Sequence, residues 1–371
     1  MALKVADTIV IADSRTVELT ANVELPRGLP GNVEISSSGT ITGDGYIIGG
    51  VKTLTASAKA FSNTVFTNGT YLITRDRLSP VQGSVSGYSS GGGTPPVVNT
   101  IDKFPFASDG NATDVGDLTQ ARQDVAGQSS SVSGYSSGGG PPPTGFNTID
   151  KFPFAADGNA TDVGDLTQTK RYVVGQSSSS SGYTSGGYAP PNIDTIEKFP
   201  FATDSNATDV GELTQARGSS SGQSSLVSGY TSGGNAPPRV TTIDKFPFAA
   251  DGNATDVGDL TQGRYYTAGQ SSTVSGYSSG GDVNPPVVNT IDKFPFASDT
   301  NATDVGNLTV TRYGPAGQSS DISGYSSGGN APGISNVIDK FPFASDGNAT
   351  DVGDLTQARQ NAAGQQSGGN A

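Results

Sequence analysis

From residue 99 onward the apolar positions fall into short alternating groups. In the stretch 101–107 (IDKFPFA), Phe104 and Phe106 point to one side at period two, as in a half-buried strand. Asp109-Gly110-Asn111 then supplies turn residues, and ATDVGDL follows as a partner strand presenting Val115 and Leu118. After Arg122 come two Gly/Ser-rich stretches, GQSSSV and GYSSGG, which read as two more strands. Pro105 lacks a ladder donor, so it suits a strand end or a bulge. Each unit is thus expected to hold four short strands.

The unit recurs. Ile101, Ile149, Ile196, Ile243, Ile291 and Ile338 each open an IDKFPF or IEKFPF copy, at spacings of 48, 47, 47, 48 and 47 residues. A period of that length marks a solenoid, a propeller or an array. GYSSGG or GYTSGG also occurs six times, but its first copy precedes Ile101 and none follows Ile338. The array therefore begins with a strand lacking its inner neighbour and ends, after Arg359, with an inner strand lacking its outer one. Pairing Ala363–Ser367 beside Val85–Ser90 would close a ring without an open edge. Across such a ring Tyr88, Ile101, Phe104, Phe106, Val115 and Leu118, with their equivalents, should meet between blades. Ahead of the array, 8–23, 32–48 and 64–74 show strand-like alternation broken by Gly/Asn/Asp turns, with no helical periodicity. The expected fold is all-β: a small N-terminal β domain, residues 1–80, then a six-bladed β-propeller, residues 81–371. A trimeric β-fibre of the same repeats is the rival.

The repeat resembles the Kelch repeat, whose blades carry a Gly-Gly doublet, an acidic-basic-aromatic strand, a hairpin and a Leu-x-x-x-Arg segment. The counterparts here are Gly138-Gly139, Asp150-Lys151-Phe152, the Asp157–Asn159 turn, and Leu166 with Lys170-Arg171; Tyr135 stands three residues before the doublet. The likeness covers residues 83–371 and implies a Kelch-like propeller. This chain departs from the family in having no Trp for the fourth strand and in the Ser/Gly content of its strands. Residues 1–80 resemble in style the attachment modules of bacteriophage tail fibres. The repeat wording resembles that of aquatic phage proteins.

Composition narrows the chemistry. Cys and His are both absent, which removes disulfides, thiolate metal sites and Ser-His or Cys-His dyads. Of the net charge of −13, the repeats carry 14 Lys/Arg against 27 Asp/Glu, while residues 1–80 hold seven of each. That acidity opposes nucleic-acid binding. No apolar run reaches membrane-spanning length, and the opening MALKVADTIVIADS is too polar for a signal peptide. Neither nucleic acid nor membrane insertion is expected.

Repeated polar residues invite functional readings. DGNATDVGDL resembles the calcium loop of integrin-type propellers, with Asp109, Asn111, Thr113 and Asp117 as oxygen donors. Thr and Asp114 stand where that loop wants Asp and Gly, and the ninth position becomes Asn307 in one copy, so a plain hairpin is preferred and no cofactor is expected. The six NAT sequences read as turns rather than glycan acceptors. The six recurrent glutamines beginning with Gln128 are expected to hydrogen-bond one another around the axis. Arg122, Lys170, Arg217, Arg264, Arg312 and Arg359 should form structural ion pairs with the Asp102 and Asp114 equivalents. An active site is built once, and the carboxylates outside the sixfold pattern are Asp124, Asp194, Asp282 and Asp321.

Individuality lies in two variable segments, one after the Gly-Gly doublet and one after the recurrent Arg. Both should open on one face, bringing together Tyr172, Tyr188, Arg239, Tyr265, Tyr266 and Tyr313 amid prolines. Tyrosine offers rigid amphipathic contact area, as at recognition surfaces. The functional expectation is a non-enzymatic bacteriophage virion protein (fibre, appendage or decoration), assembled in the host bacterial cytoplasm. Residues 1–80 would join other virion proteins, the propeller would meet a host-surface glycan or protein, and a homo-oligomer is compatible with this. The alternatives are a cellular Kelch-type interaction module or bacterial adhesin, and a sugar-processing enzyme.

Overall fold

The computed structural model describes residues 82–368 apart from residue 331, and the expected N-terminal attachment domain, 1–80, lies outside the described residues. The repeats build six four-stranded antiparallel sheets. In the second sheet, Ala126–Ser129 is innermost, followed outward by Ser133–Ser137, Phe146–Pro153 and Thr161–Lys170. Each inner strand packs on the inner strands of its two neighbours, and the last returns to the first. The described residues, 82–368, form a six-bladed β-propeller. Every third strand ends at its proline, and the outer strands carry a bulge, as between Asp114 and Gly116.

Closure follows the copy count. Ala363–Ser367 forms the innermost strand of the first blade, with Ala363 opposite Ser90, Gln365 opposite Tyr88 and Ser367 opposite Ser86. Strands from the two ends of the array thus share one sheet, Thr113–Asp117, Thr100–Pro105, Ser86–Ser90 and Ala363–Ser367 in order.

Two kinds of glycine explain why so polar a chain packs. On the second strands, Gly134 lies opposite Phe152, whose ring covers it; a Cβ there would sit 2.3 Å from that ring. On the inner strands, a Cβ on Gly175 would stand 2.1 Å from the carbonyl oxygen of Gly127, and one on Gly127 2.2 Å from that of Gly364. The same contact runs through Gly222, Gly269 and Gly317, so six glycines form a closed belt of backbone on backbone. Inner-strand carbonyls that would be bare edges are covered by the next blade.

The apolar core lies between blades, as the strand alternation implies. Tyr88, Ile101 and Leu118 of the first blade enclose Phe152 and Ala160 of the second, with Val115 and Phe154 at the margin. Tyr88 stacks on Phe154 with centroids 5.0 Å apart and tilts against Phe152 at 5.5 Å. The motif repeats to the closing interface, where Phe104 and Phe106 meet Tyr325.

Buried charge also joins the repeats. Arg122 lies 2.8 Å from Asp150, both side chains fully buried, and donates to the carbonyls of Thr148 and Ser136. Asp150 also accepts from the Thr119 amide and hydroxyl, so the strand connection that carries Thr119 and Arg122 is riveted to the blade it enters. Arg359 and Asp102 make the pair that closes the ring. The recurrent glutamines do not bond one another: Gln128 donates to Ser137 in its own blade and to the Tyr183 carbonyl of the next. An amide on a strand edge reaches the neighbouring blade's carbonyl more readily than another amide across the axis.

Candidate functional site

The hairpin that suggested calcium is occupied with joining blades. The Asp109 carboxylate accepts from Lys340 at 2.9 Å, and the Asn111 side chain accepts from the Asp354 amide at 3.0 Å. Thr113 and Asp117 pair within the outer strand ladder, opposite Lys103 and Thr100. The Asp109 and Asn111 oxygens thus serve separate partners on the neighbouring blade rather than one point. Among the described residues no group of three or more His, Cys, Asp or Glu gathers as a metal site.

The site that departs from sixfold repetition lies at one mouth of the axis. There the two variable segments of each blade pair through single bridges, among them Gln123 with Gly140, Arg171 with Tyr188 and Tyr265 with Asp282. One residue of each connection then turns into the left-handed region: Asp124, Tyr172, Ser219, Tyr266, Gly314 and Asn361 all have φ between 55° and 68°. The turn lets each amide donate to the same residue one blade back. Tyr172 donates to Asp124, Ser219 to Tyr172, Tyr266 to Ser219, Gly314 to Tyr266, Asn361 to Gly314 and Asp124 to Asn361, at 2.7–3.1 Å. Six backbone hydrogen bonds thus close a belt around the axis.

Glycine, asparagine and aspartate tolerate this conformation, whereas a tyrosine in it costs about 1–2 kcal/mol. Two of the six positions are nonetheless tyrosine. Their rings gather the others: Tyr172 meets Tyr266 edge-on at 5.7 Å and Tyr188 at 6.4 Å, while Tyr266 meets Tyr265 at 4.6 Å and Tyr313 at 5.8 Å. Arg239 lies 4.4 Å over the Tyr265 ring, whose hydroxyl donates to Asp282. All six side chains expected on the variable face therefore form one continuous cluster. Tyr172, Tyr265, Tyr266 and Tyr313 line a cavity of about 420 Å3 with Arg171, Asp282, Asn361 and the cis pair Pro142-Pro143.

Three residues behind that cluster were not singled out as binding residues from sequence. Asp124, its carboxylate fully buried, accepts from Arg171 at 2.6 and 3.0 Å and from Asn361 at 2.9 Å. Arg171 in turn donates to the Tyr172 hydroxyl at 2.7 Å and lies over its ring. Burial pushes the Asp124 carboxyl up to about 6 despite the Arg171 charge. Burial, reinforced by Tyr172 and Asp124, pushes the Tyr266 hydroxyl well above its usual range. A usable signal was present: Asp124 and Asp282 belong to the four carboxylates outside the repeat. Similarly, 12 of the array's 14 cations recur in every blade, and the remaining two are Arg171 and Arg239.

The chain matches no protein-family model and no curated protein. Its fold defines it as a six-bladed β-propeller with one asymmetric, tyrosine-lined mouth.

Proposed function

We propose that the chain is a non-enzymatic recognition protein whose axial mouth binds a ligand on a host surface. The observation that carries this is the placement of Tyr172 and Tyr266. Both hold a conformation that disfavours their residue type, at the point where the blades converge, and they gather three more tyrosines into one cluster. Backbone strain retained at such a position points to function. The setting we favour is a bacteriophage virion, as fibre, appendage or decoration protein with Kelch-like blades. The phage-like repeat wording and the absence of Cys support it.

An enzymatic reading is less well supported by the same geometry. Of the two unrepeated carboxylates at the mouth, Asp124 is sealed behind Arg171 and Asn361, so it offers a substrate no free oxygen. Immunogold imaging of native assemblies with antibody to the full chain tests the setting: label on phage tails or capsids is expected, and label on cell envelopes overturns it. Attachment of the labelled full chain to the host cells tests the site. The triple variant Tyr265→Ser, Tyr266→Ser, Tyr313→Ser should lose attachment while keeping the circular dichroism of the parent, and undiminished attachment overturns the assignment.

A further inference from the structure

Resting on that assignment of the mouth as a binding site, we infer that its ligand is an uncharged saccharide end, stacked on the tyrosine rings. Three features of the cavity select this class. The first is size. About 420 Å3 suits a small molecule or the tip of a chain, whereas a protein partner needs about 800 Å2 of surface on each side.

The second is charge. Although the array is strongly acidic, the mouth is balanced locally. Arg171 answers Asp124, and Arg239 lies on the Tyr265 ring whose hydroxyl is held by Asp282. An anionic ligand would find the nearer guanidinium already engaged by a carboxylate. A cationic ligand would find the lining carboxylate, Asp282, already accepting from the Tyr265 hydroxyl and the Asn284 amide.

The third is the mixture of surfaces. Tyr172, Tyr265, Tyr266 and Tyr313 offer aromatic faces and hydroxyls, and Gln123, Gln360 and Asn361 stand among the lining residues. A pyranose presents apolar C–H faces and equatorial hydroxyls at its edge, which match rings flanked by amides and phenols. A purely apolar ligand would leave those polar groups unpaired. The low conformational freedom of tyrosine, and of the rigid Pro142-Pro143 wall, keeps the cost of ordering such a site small.

Tyr266→Gly is the informative variant. Glycine adopts φ near 56° freely, so the hydrogen-bonded belt keeps its conformation while the central ring is removed. Saturation-transfer NMR on the full-length chain would use glucose, galactose, mannose and N-acetylglucosamine, with glucuronic acid and glucosamine as charged counterparts. At least one neutral sugar should bind, with Kd in the millimolar range expected of a single ring (about 1 mM). Tyr266→Gly should weaken it by tenfold or more, and the charged counterpart should bind more weakly than its neutral parent. Preferential binding of a charged sugar, binding indifferent to Tyr266→Gly, or no binding of any neutral sugar each overturns the saccharide assignment. Host-cell attachment by the same variant separates the two levels. If attachment is lost although no sugar binds, the mouth remains the binding site and only the ligand class falls.

Discussion

Lys170 and Glu197 form a fully buried ion pair, Nζ to Oε2 2.8 Å, at the position where the other five blade junctions use Arg and Asp. The cation shortens where the anion lengthens by one methylene, so the span between connection and third strand is kept. Thr167 and Thr184 hold the Glu197 carboxylate as threonine and backbone donors hold the aspartates elsewhere. Burial lowers the Lys170 ammonium below its usual range, with Glu197 opposing the shift. The two substitutions make one compensated unit.

Removing one partner therefore strands the other. Lys170→Ala should lower unfolding free energy by about 3–5 kcal/mol in denaturant titration, the usual effect of halving a buried pair. The double variant Lys170→Arg, Glu197→Asp should stay within about 1 kcal/mol of the parent, since it recreates the junction used five times. Equal damage from the single and double changes would show that the pair is not a matched unit.

Deleting residues 360–371 removes the inner strand of the first blade. The Tyr135 carbonyl loses the Gln365 amide that donates to it, the glycine belt loses Gly364, and the Ser86–Ser90 strand becomes an open edge. The expected loss is about 5 kcal/mol or more, far beyond ordinary point changes. Urea denaturation followed by circular dichroism reads it, and a midpoint equal to the parent's would remove the closing strand from any stabilising role.

Glycine substitutions should split by position. Gly269→Ala would place a Cβ 2.1 Å from the Gly222 carbonyl oxygen and should destabilise by about 3 kcal/mol through forced separation of inner strands. Gly252→Ala meets nothing within 4 Å and should be neutral or stabilising by about 0.5 kcal/mol. Matched thermal melts decide, and similar losses at both sites would argue against the close-packed belt.

Asp124 should make stability depend on pH in the direction opposite to most carboxylates. Its carboxyl titrates near 6 when folded and near 3.8 ordinarily, so between those values the folded protein keeps a proton that the unfolded chain releases. The Asp124 contribution thus falls as pH rises from about 4 to 6, by at most about 3 kcal/mol. Asp124→Asn removes that slope. Unfolding free energies at pH 4 and pH 7 should differ more unfavourably on raising pH for the parent than for the variant, and identical slopes would place the Asp124 titration elsewhere.

Much of this architecture was legible in residues because a repeat reports its own neighbours. Six IDKFPF-type openings and the offset of the GYSSGG copies specified blade count and the returning Ala363–Ser367 strand. Phe104 and Phe106 at period two announced a buried face, and the recurrence of Arg122 beside Asp102-type residues announced a structural pair. The calcium-like DGNATDVGDL run was a weaker guide, because the same oxygens that suit a cation also suit the Lys340 ammonium and the Asp354 amide.

What the sequence by itself determined is whatever recurs: strand pattern, period, ring closure and the location of variation. Tertiary structure alone decided how the variation is assembled. The left-handed turn shared by Asp124, Tyr172, Ser219, Tyr266, Gly314 and Asn361 has no common residue type, since its cause is a hydrogen bond to the blade before rather than a local preference. Gln128 likewise bonds across to Tyr183, 55 residues away, because the edge of one blade lies against the next. Asp124, Arg171 and Tyr172 become one unit for the same reason: consecutive connections, remote along the chain, converge on a single axis.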